Sequence, residues 1–388
     1  MARWLLPENV SDVLPAEART VERLRRALLD LYRGFGYELV VPPLMEHLDS
    51  LLTGSGHDLD LTTLKLVDQL SGRTLGLRAD TTPQVARIDS HILNRSGVAR
   101  LCYAGPTLHA RPMHPLASRE PLQVGAEIYG DADPAADREI LELAVRSARS
   151  IGVERVQVDL GHTGVVRALL GDLLHAPEGV EEVLAALTAK DPAALDEASR
   201  ALGAEERGAL KALLGLNGGA EAIARARGVL PRSAALEAAL DGLEELAQGC
   251  AADAVSVDLS DLHGFRYHTG FTFAVYVPGL AAPLLRGGRY DDIGMAFGRA
   301  RPATGFSLLD LREAAQLAGP GTESAILAPR SPDPDLRAAV EALRGAGEIV
   351  VCHGAAGTDE EIGIALALDR ELVRAEGRWV VQPRGRRA

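Results

Sequence analysis

The β-rich segments of this 388-residue chain occur in two blocks separated by a long stretch of a different kind. Before about residue 163, and again from Val255 to Phe306, apolar and β-branched residues occur in short runs typical of strands. Between the blocks, residues 163–250 consist mainly of alanine, leucine and glutamate, which are good helix formers. The sequence therefore predicts one α+β body whose sheet is split in the sequence and reunited in space, with an all-helical insertion at about 163–250.

The first block predicts an amphipathic helix followed by paired strands. Apolar residues recur at helical spacing in residues 17–34, and this helix is expected to end at Gly34. The next run, Gly36 to His47, contains Pro42 and Pro43, so it predicts a strand that ends or lies at an edge. Further predictions are a hairpin across residues 64–70 and 74–79, strands at 100–103, 123–129, 156–159, 271–276 and 303–308, and a helix at 137–151.

A change of texture after Leu317 predicts a second domain. The segment AGPGTES, residues 318–324, has the composition of a linker. Apolar strand, helix and strand patterns follow it, and a final hairpin is expected with Glu376 and Gly377 at its turn. We therefore expect a core over residues 1–318 and a small C-terminal α/β domain over residues 323–388.

Composition limits the classes of function. A hydrophobic content of 47% and a charged content of 24%, with no apolar run near the roughly 20 residues of a membrane span, indicate a soluble, cytoplasmic protein. The net charge of -13 and the single basic run, the terminal RGRR, give no evident nucleic-acid surface. Cys102, Cys250 and Cys352 fit neither a disulfide framework nor a metal site, and no metal or cofactor is expected.

Six segments follow one another in an informative order. They are GYELVVPPLME with Pro43, LRADTTPQVAR, GPTLHARPMHPLASREPLQVGAE, LHGFRYHTG, GGRYDD and ARPATGFSLLDLR. Together they resemble the class II aminoacyl-tRNA synthetase core, and most of all the histidyl enzyme, over roughly residues 5 to 315. This resemblance implies a class II synthetase-like antiparallel sheet with flanking helices, and a body that dimerises.

The resemblance also implies a histidine-like pocket. In the synthetase a carboxylate and a threonine hold the amino group of histidine, and a glutamine and a glutamate line the same pocket. Independently, Gln123 and Glu127 lie four residues apart on a predicted strand, so both point to one face. The ligand-binding positions expected from the matching segments are Asp80, Thr82, Gln123, Glu127, Tyr267 and His268.

Two of these carboxylates have structural alternatives. Asp80 with Thr81 and Thr82 precedes Pro83 and an apolar run, which also predicts the capped start of a helix, and both roles are compatible. Glu127 lies on a strand expected to face the core, where an unpaired carboxylate is costly, so a ligand or a salt bridge is favoured.

GGRYDD lacks the pattern of a phosphate-binding glycine loop, and the histidines His109, His114, His263 and His268 match no metal-ligand spacing.

The catalytic pattern of the synthetase is broken at three positions. Counting from Gly105 and Pro106, His109 replaces an arginine and Arg111 replaces a glutamate, and His263 replaces a second arginine. A neutral imidazole does not supply the permanent charge that a guanidinium brings to phosphate. Arg312 matches one remaining arginine of the ATP site. The resemblance thus implies an ATP site without catalytic residues beside a retained amino-acid pocket.

This asymmetry is similar to that of the regulatory subunits of ATP phosphoribosyltransferase. Leu77 to Arg87 and Ser118 to Gln123 look like strings typical of that family, with Ala79 in place of the usual proline. The resemblance implies a non-catalytic regulatory subunit, required for the first step of L-histidine biosynthesis and involved in histidine feedback. The implied partners are a short-form catalytic subunit, a second copy of the chain within a hetero-octamer, and L-histidine, with no nucleic acid and no membrane.

Two other functions are compatible with the same segments. An active or divergent histidyl-tRNA synthetase would need the lost arginines to be dispensable, and the missing basic surface also weighs against it. A stand-alone relative that binds or modifies another substrate is allowed by the retained pocket groups, because a fold alone does not determine a function.

Overall fold

The computed structural model describes residues 4–53, 57–175, 177–319, 323–354 and 366–385. These residues form two compact units. The first includes the described residues of 21–318 and those before Val13, and the second includes 13–20 and the described residues from Gly319 onward. Within these ranges, none of the helices has the length and apolar character that a bilayer-spanning segment needs.

The N-terminal elements follow the predicted order. The helix predicted at 17–34 and the hairpin predicted across 64–79 are confirmed, although the hairpin strands are shorter than expected. The Asp68 carboxylate accepts bonds from two backbone N–H groups of the hairpin turn. The elements are α1 (Pro15–Gly34), β1 (Glu38–Leu39), β2 (Met45–His47), α2 (Leu48–Leu51), α3 (His57–Thr62), β3 (Leu64–Val67), β4 (Thr74–Leu77), α4 (Thr82–Arg87), a π-helical segment (Ile88–Leu93), β5 (Ala99–Pro106) and β6 (Leu122–Tyr129).

The insertion is helical except at one point. It follows α5 (Pro134–Ser150), which begins earlier than predicted because the Asp133 carboxylate caps it, and β7 (Gln157–His162). Its elements are α6 (Thr163–Leu170), a 3₁₀ segment (Gly171–His175), α7 (Pro177–Thr188), α8 (Pro192–Ala198), α9 (Ala204–Leu213), β8 (Asn217–Gly218), α10 (Glu221–Val229) and α11 (Ala234–Gly249). The expectation of an all-helical insertion is wrong at β8, which pairs with β9 (Ala254–Asp258). Such a pair depends on a distant partner and not on local propensity.

The remaining elements of the first unit complete a nine-stranded sheet. They are β10 (Phe271–Tyr276), β11 (Leu285–Arg289), a 3₁₀ segment (Ile293–Phe297), β12 (Ala303–Leu308) and α12 (Leu311–Leu317). The strand order is β1-β5-β6-β12-β11-β10-β7-β9-β8, and a three-stranded antiparallel sheet has the order β2-β4-β3. The large sheet is antiparallel except that β1 pairs with β5, and β7 with β9, in parallel. The α+β, class II-like fold and the edge strand predicted before Pro42 are confirmed.

The two faces of the large sheet differ in chemistry. On β6, Val124, Ala126 and Ile128 join the main core with α1 and α5. The alternate residues of β6 point to the other face, where Ser307 lies opposite Gly125 and Gly305 lies opposite Glu127. The sheet therefore presents a floor of polar residues and glycines on the side away from its main core.

The second unit is a small α/β structure. It contains β13 (Ser324–Pro329), α13 (Pro334–Gly345), β14 (Val350–His353), β15 (Ala367–Ala375) and β16 (Arg378–Pro383), with the strand order β14-β13-β15-β16. Strand β13 is parallel to β14 and β15, and β15 forms the terminal hairpin with β16. Glu376 and Gly377 have φ values of 49° and 81°, so the turn predicted at these two residues is confirmed.

Candidate functional site

A cavity of about 340 Å³ lies on the polar face of the nine-stranded sheet. The start of α4, strands β6, β11 and β12, and the loop between β9 and β10 contribute residues to its lining. All six predicted ligand-binding residues line it: Asp80, Thr82, Gln123, Glu127, Tyr267 and His268. The fold therefore brings together side chains that are up to 188 positions apart in the sequence.

Gln123 joins the start of α4 to the floor of the cavity. Its amide Nε2 donates to Asp80 Oδ1 at 2.8 Å and to Ser307 Oγ at 3.0 Å, while its Oε1 accepts from the Thr81 backbone N–H at 2.9 Å. With its donors and acceptor engaged in this way, the Gln123 side chain is fixed in one orientation. It holds the Asp80 carboxylate at the cavity.

Asp80 lines the cavity and also bonds to the first residue of α4. Its Oδ1 accepts from the Thr82 backbone N–H at 3.1 Å and from the Thr82 hydroxyl at 3.2 Å, which satisfies a donor at the beginning of α4. All of its hydrogen bonds with described residues reach Oδ1. The second oxygen, Oδ2, remains available to a donor that is not part of these residues, such as a ligand ammonium.

Glu127 is a buried carboxylate surrounded by hydroxyl groups. Its side chain is only 1% exposed, and it accepts from the Tyr103 hydroxyl at 3.1 Å and from the Tyr290 hydroxyl. Among the described residues no cation pairs with it, so the salt-bridge alternative is not realised there. Burial raises the pKa of Glu127 to about 8, against the opposing effect of the two tyrosine hydroxyls.

Tyr103 and Ser307 connect the two carboxylates into one network. The Tyr103 hydroxyl lies 2.6 Å from Ser307 Oγ and 3.2 Å from Thr82 Oγ1. Sequence reasoning did not find Tyr103, Ser307 or Tyr290. Two of them lie in quoted segments, Tyr290 in GGRYDD and Ser307 in ARPATGFSLLDLR, whereas Tyr103 had no signal in the sequence.

Glycines on three neighbouring strands make room for this network. A Cβ at Gly305 would lie 1.5 Å from Glu127 Oε2, and a Cβ at Gly125 would lie 2.3 Å from the Tyr103 hydroxyl. A Cβ at Gly288, where φ is +156°, would lie 2.7 Å from the His268 ring. Side chains could not lie across the sheet here if these positions carried a Cβ.

Aromatic rings form one wall of the cavity. The Tyr267 ring lies 4.9 Å from the Tyr290 ring at 31°, and 5.3 Å from the His268 ring at 80°. Burial lowers the pKa of His268 to about 4, so this imidazole is neutral at physiological pH. The Tyr267 hydroxyl is buried and has no hydrogen-bond partner among the described residues. This wall can pack against a flat ring and offer it a hydroxyl.

His109 is locked in a neutral form. Its Nε2 lies 3.0 Å from the Ala79 carbonyl oxygen, which can only accept, so Nε2 carries the proton. Burial lowers the pKa of His109 below its usual value. A neutral imidazole therefore lies at the position matched above to an arginine of the synthetase.

Of the other three positions matched to the ATP site of the synthetase, one lines the cavity. Arg111 is exposed and does not line the cavity. Arg312 also lies outside the lining, and its guanidinium donates to Ser11 Oγ at 2.9 Å. His263 lines the cavity and is partly exposed, and its partial burial together with the nearby Arg286 guanidinium lowers the pKa of His263.

The charge of the cavity favours a small zwitterion over a polyphosphate. Its described lining contains the carboxyl groups of Asp80, Glu127 and Asp261, and a single cation, Arg286. A triphosphate requires several positive groups, and carboxylates in the same space repel it. An amino acid carries one ammonium and one carboxylate, which matches groups of both signs.

Family models divide the chain in the same place as the change of sequence texture. Residues 9–313 match the model described as histidyl-tRNA synthetase. Residues 323–382 match the model described as the C-terminal domain of the ATP phosphoribosyltransferase subunit HisZ.

Similar proteins extend over nearly the whole chain. The ATP phosphoribosyltransferase regulatory subunit of Cupriavidus pinatubonensis is 56% identical, covering 98% of this chain and 99% of that protein. The one from Ralstonia nicotianae is 53% identical and covers 99% of both. A crystal structure named as an ATP phosphoribosyltransferase regulatory subunit/histidyl-tRNA synthetase, from Bacillus halodurans, has a TM-score of 0.80 and 28% identity, covering 93% of this chain and 95% of that one.

A solved histidyl-tRNA synthetase has the same fold. The enzyme from Nostoc has a TM-score of 0.76 at 16% identity, covering 99% of this chain and 97% of that one. The match over residues 9–313 and the relatives above 50% identity define the family. The chain belongs to the histidyl-tRNA synthetase-like family of ATP phosphoribosyltransferase regulatory subunits.

Proposed function

We propose that this chain is the non-catalytic regulatory subunit that a short-form ATP phosphoribosyltransferase requires in the first step of L-histidine biosynthesis. In this proposal the chain forms a homodimer within a hetero-octamer, and its cavity binds L-histidine for feedback inhibition. The family membership supports the regulatory role. The chemistry of the cavity supports the choice of ligand.

The observation that carries the proposal is the contrast between the two parts of the site. The amino-acid part is an interlinked set of buried groups that includes Asp80, Gln123 and Glu127. At the position matched to the first phosphate-binding arginine of a synthetase, this chain has His109, which is neutral and hydrogen-bonded to the Ala79 carbonyl oxygen. Without cations at that point, the electrostatic stabilisation that adenylate formation needs is missing. The chain is therefore proposed to bind histidine without activating it.

The ligand is proposed to lie with its ammonium at Asp80 and its imidazole at Glu127. Asp80 Oδ2 and the Thr82 hydroxyl can accept from an ammonium, and charge-assisted bonds of this kind are strong. Glu127 and the Tyr267 hydroxyl lie beside the aromatic wall, where a flat ring fits. An imidazole carries a donor and an acceptor in its plane, so both groups can be used.

Feedback through this cavity requires that histidine prefer one state of the complex. A ligand that binds two states equally shifts neither, however tightly it binds. Histidine is therefore proposed to bind more tightly when the catalytic subunits are held in their inactive arrangement. The same coupling makes the occupied cavity report on the state of the partner.

The test is reconstitution with a purified short-form catalytic subunit. Formation of phosphoribosyl-ATP is measured for each protein alone and for the mixture, with and without L-histidine. Charging of histidine tRNA by this chain is measured in parallel. Activity that depends on mixing and is inhibited by histidine, without charging, is the expected result. Charging by the chain alone would contradict the proposal and restore the synthetase alternative.

The pocket is tested separately with Asp80→Asn and Glu127→Gln. Asp80→Asn removes a carboxylate charge and Glu127→Gln removes an ionisable carboxyl group, and both keep the side-chain shape. Assembly and activity without histidine should therefore persist while inhibition weakens. Glu142→Gln serves as the matched control, because Glu142 lies on the exposed surface of α5 and pairs with Arg146. Unchanged inhibition in both pocket variants would show that histidine acts elsewhere.

A further inference from the structure

Arg286 is the only lysine or arginine among the described residues that line the cavity. It lies on β11, directly opposite Ser307 of β12. Directly opposed residues of antiparallel strands share a face, so the Arg286 side chain leaves the sheet on the cavity side. Ser307 Oγ in turn accepts from Gln123 Nε2 at 3.0 Å. Arg286 thus lies beside Ser307, and Ser307 is bonded to the Gln123 amide that also donates to Asp80.

The charge of Arg286 is not neutralised within the described part of the chain. Three residues further along the same strand, Arg289 donates to the Asp137 carboxylate at 2.9 Å. Arg286 is half-buried, and no carboxylate of the described residues forms an ion pair or hydrogen bond with it. Asp261 also lines the cavity, but its Oδ1 accepts from the His263 backbone N–H at 3.0 Å. A half-buried cation without an anion is unfavourable, and a ligand anion would correct this.

Within the described lining of the cavity, the histidines beside Arg286 add no positive charge to that of its guanidinium. Partial or full burial, with a contribution from the Arg286 charge itself, lowers the pKa of both His263 and His268. Both imidazoles are therefore neutral near pH 7. His263 lies at the position that was matched to an arginine in the corresponding segment of the synthetase. The cation that lines the cavity therefore lies on strand β11 and not in this loop.

We propose that Arg286 binds the carboxylate of the amino acid in the cavity and so selects free α-amino acids over their decarboxylated or reduced analogues. This inference rests on the proposed function, since it assumes that histidine enters the cavity. Two strand spacings, roughly 10 Å, separate the Arg286 and Gly125 backbones, and the ligand would lie above them. Asp80 at one side and Arg286 at the other match the two charges of a zwitterion.

A phosphate group is the other anion that a guanidinium could bind. The Asp80 and Asp261 carboxylates line the same cavity, so a polyphosphate would meet repulsion from both of them. A single carboxylate with an adjacent ammonium meets attraction at both ends. The cavity chemistry therefore favours the amino acid, and phosphate ligands form a separate arm of the test.

The experiment is isothermal titration calorimetry on the full chain with L-histidine and with L-histidinol, in which a hydroxymethyl group replaces the carboxylate. Arg286→Ala should weaken histidine binding by roughly 10- to 100-fold, the range for a charge-assisted hydrogen bond. Histidinol should bind the wild type more weakly than histidine does, and Arg286→Ala should not weaken it further. The two losses are then non-additive, as they are for groups in direct contact.

Three further proteins make the comparison specific. Arg286→Lys keeps the charge without the forked donors and should lose less affinity than Arg286→Ala. Arg286→Gln repeats the loss of charge with a side chain that still fills part of the space. Arg266→Ala is the control, because the Arg266 side chain is exposed and pairs with Glu181 outside the cavity. It should bind both ligands as the wild type does.

Several results would overturn the inference. Equal losses for histidine and histidinol in Arg286→Ala and Arg286→Gln would assign Arg286 a structural role. Undiminished histidine binding in these variants would exclude the contact. Pyrophosphate or ATP binding that depends on Arg286, with histidine binding indifferent to it, would assign the residue to a phosphate. If the wild type bound no histidine at all, the proposed ligand would fail together with this inference.

Discussion

At the scale of single residues, Glu127 has the strongest influence on the site. It is buried, has hydroxyl partners instead of a cation, and its pKa is raised to about 8. Burial without a counter-charge costs stability when the group ionises. A site of this kind is poorly satisfied by the protein alone and gains from a ligand that brings hydrogen-bond donors.

This burial predicts a pH-dependent stability. The folded-state pKa lies above the unfolded value, so the unfolded chain releases its proton first as pH rises. The free energy of unfolding of the wild type should therefore fall, relative to Glu127→Gln, by up to about 1.4 kcal/mol per pH unit between about pH 5 and pH 8, and level off above. Urea denaturation at several pH values measures the difference. A parallel pH profile for the two proteins would contradict the assignment.

The same group predicts a proton linked to ligand binding. If a positively charged or donor-rich ligand stabilises the ionised carboxylate, binding at pH 7 should release protons from Glu127. The heat of histidine binding should then depend on the ionisation enthalpy of the buffer, and affinity should rise with pH toward about 8. The buffer dependence should shrink in Glu127→Gln. A dependence that persists unchanged in this variant would point to another titrating group.

Residue-level prediction from the sequence succeeded where periodicity alone decides the outcome. Gln123 and Glu127 were expected on one face of a strand, and both line the cavity. Tyr103 and Ser307 were not found, because their relation to Glu127 depends on which strands are neighbours and in what register. That information is non-local and is absent from any short window of sequence.

At the scale of elements, the glycines of β11 and β12 determine the depth of the cavity. Gly305 lies directly opposite Glu127 on the neighbouring strand, and a Cβ at Gly305 would lie 1.5 Å from Glu127 Oε2. Overpacking of a buried site costs about 1–3 kcal/mol or more. The strands therefore give up side-chain packing at these positions so that polar groups can lie flat on the sheet.

Gly305→Ala should displace Glu127, lower the midpoint of thermal unfolding and abolish histidine binding. Gly242→Ala in helix α11 is the matched control, since a Cβ there meets nothing within 4 Å. Replacing a helical glycine by alanine should stabilise the protein by about 0.5–1 kcal/mol. Differential scanning calorimetry and histidine titration distinguish the two. Normal binding by Gly305→Ala would contradict the packing argument.

Element prediction from the sequence was reliable for long periodic segments and for the proline-interrupted strand. Pro42 and Pro43 were expected to end a strand, and their carbonyls accept bonds from Arg78 Nη1 at 2.9 Å and Gln84 Nε2 at 2.8 Å. The two-residue strand β8 was missed, because two residues carry no periodicity. Its existence depends on β9 alone.

At the scale of the whole molecule, the class II-like unit presents an exposed apolar edge. Leu39, Val41 and Met45 lie on or beside strands β1 and β2, and Val41 is 79% exposed. Strand β1 is at the edge of the nine-stranded sheet, where unpaired backbone groups and apolar side chains favour association. The proposed homodimer would cover this surface.

The division into a core to residue 318 and a domain from residue 323 also stays a prediction.

Val41→Glu should therefore weaken the dimer. Light scattering on the eluted protein should give about twice the 41.1 kDa chain mass for the wild type and a mass near that of one chain for the variant. Val229→Glu is the control, because Val229 is also exposed, at 57%, but lies on helix α10 of the insertion. Dissociation by Val229→Glu, or none by Val41→Glu, would place the interface elsewhere.

The cavity also gives the protein an intrinsic optical signal. Of seven tyrosines, Tyr103, Tyr267 and Tyr290 lie in or directly around it, whereas neither tryptophan, Trp4 or Trp379, is among its lining residues. A ligand that reorders these hydroxyls and rings will change the tyrosine band of near-ultraviolet circular dichroism and leave the tryptophan band largely unaltered. Occupancy can thus be followed in unlabelled protein.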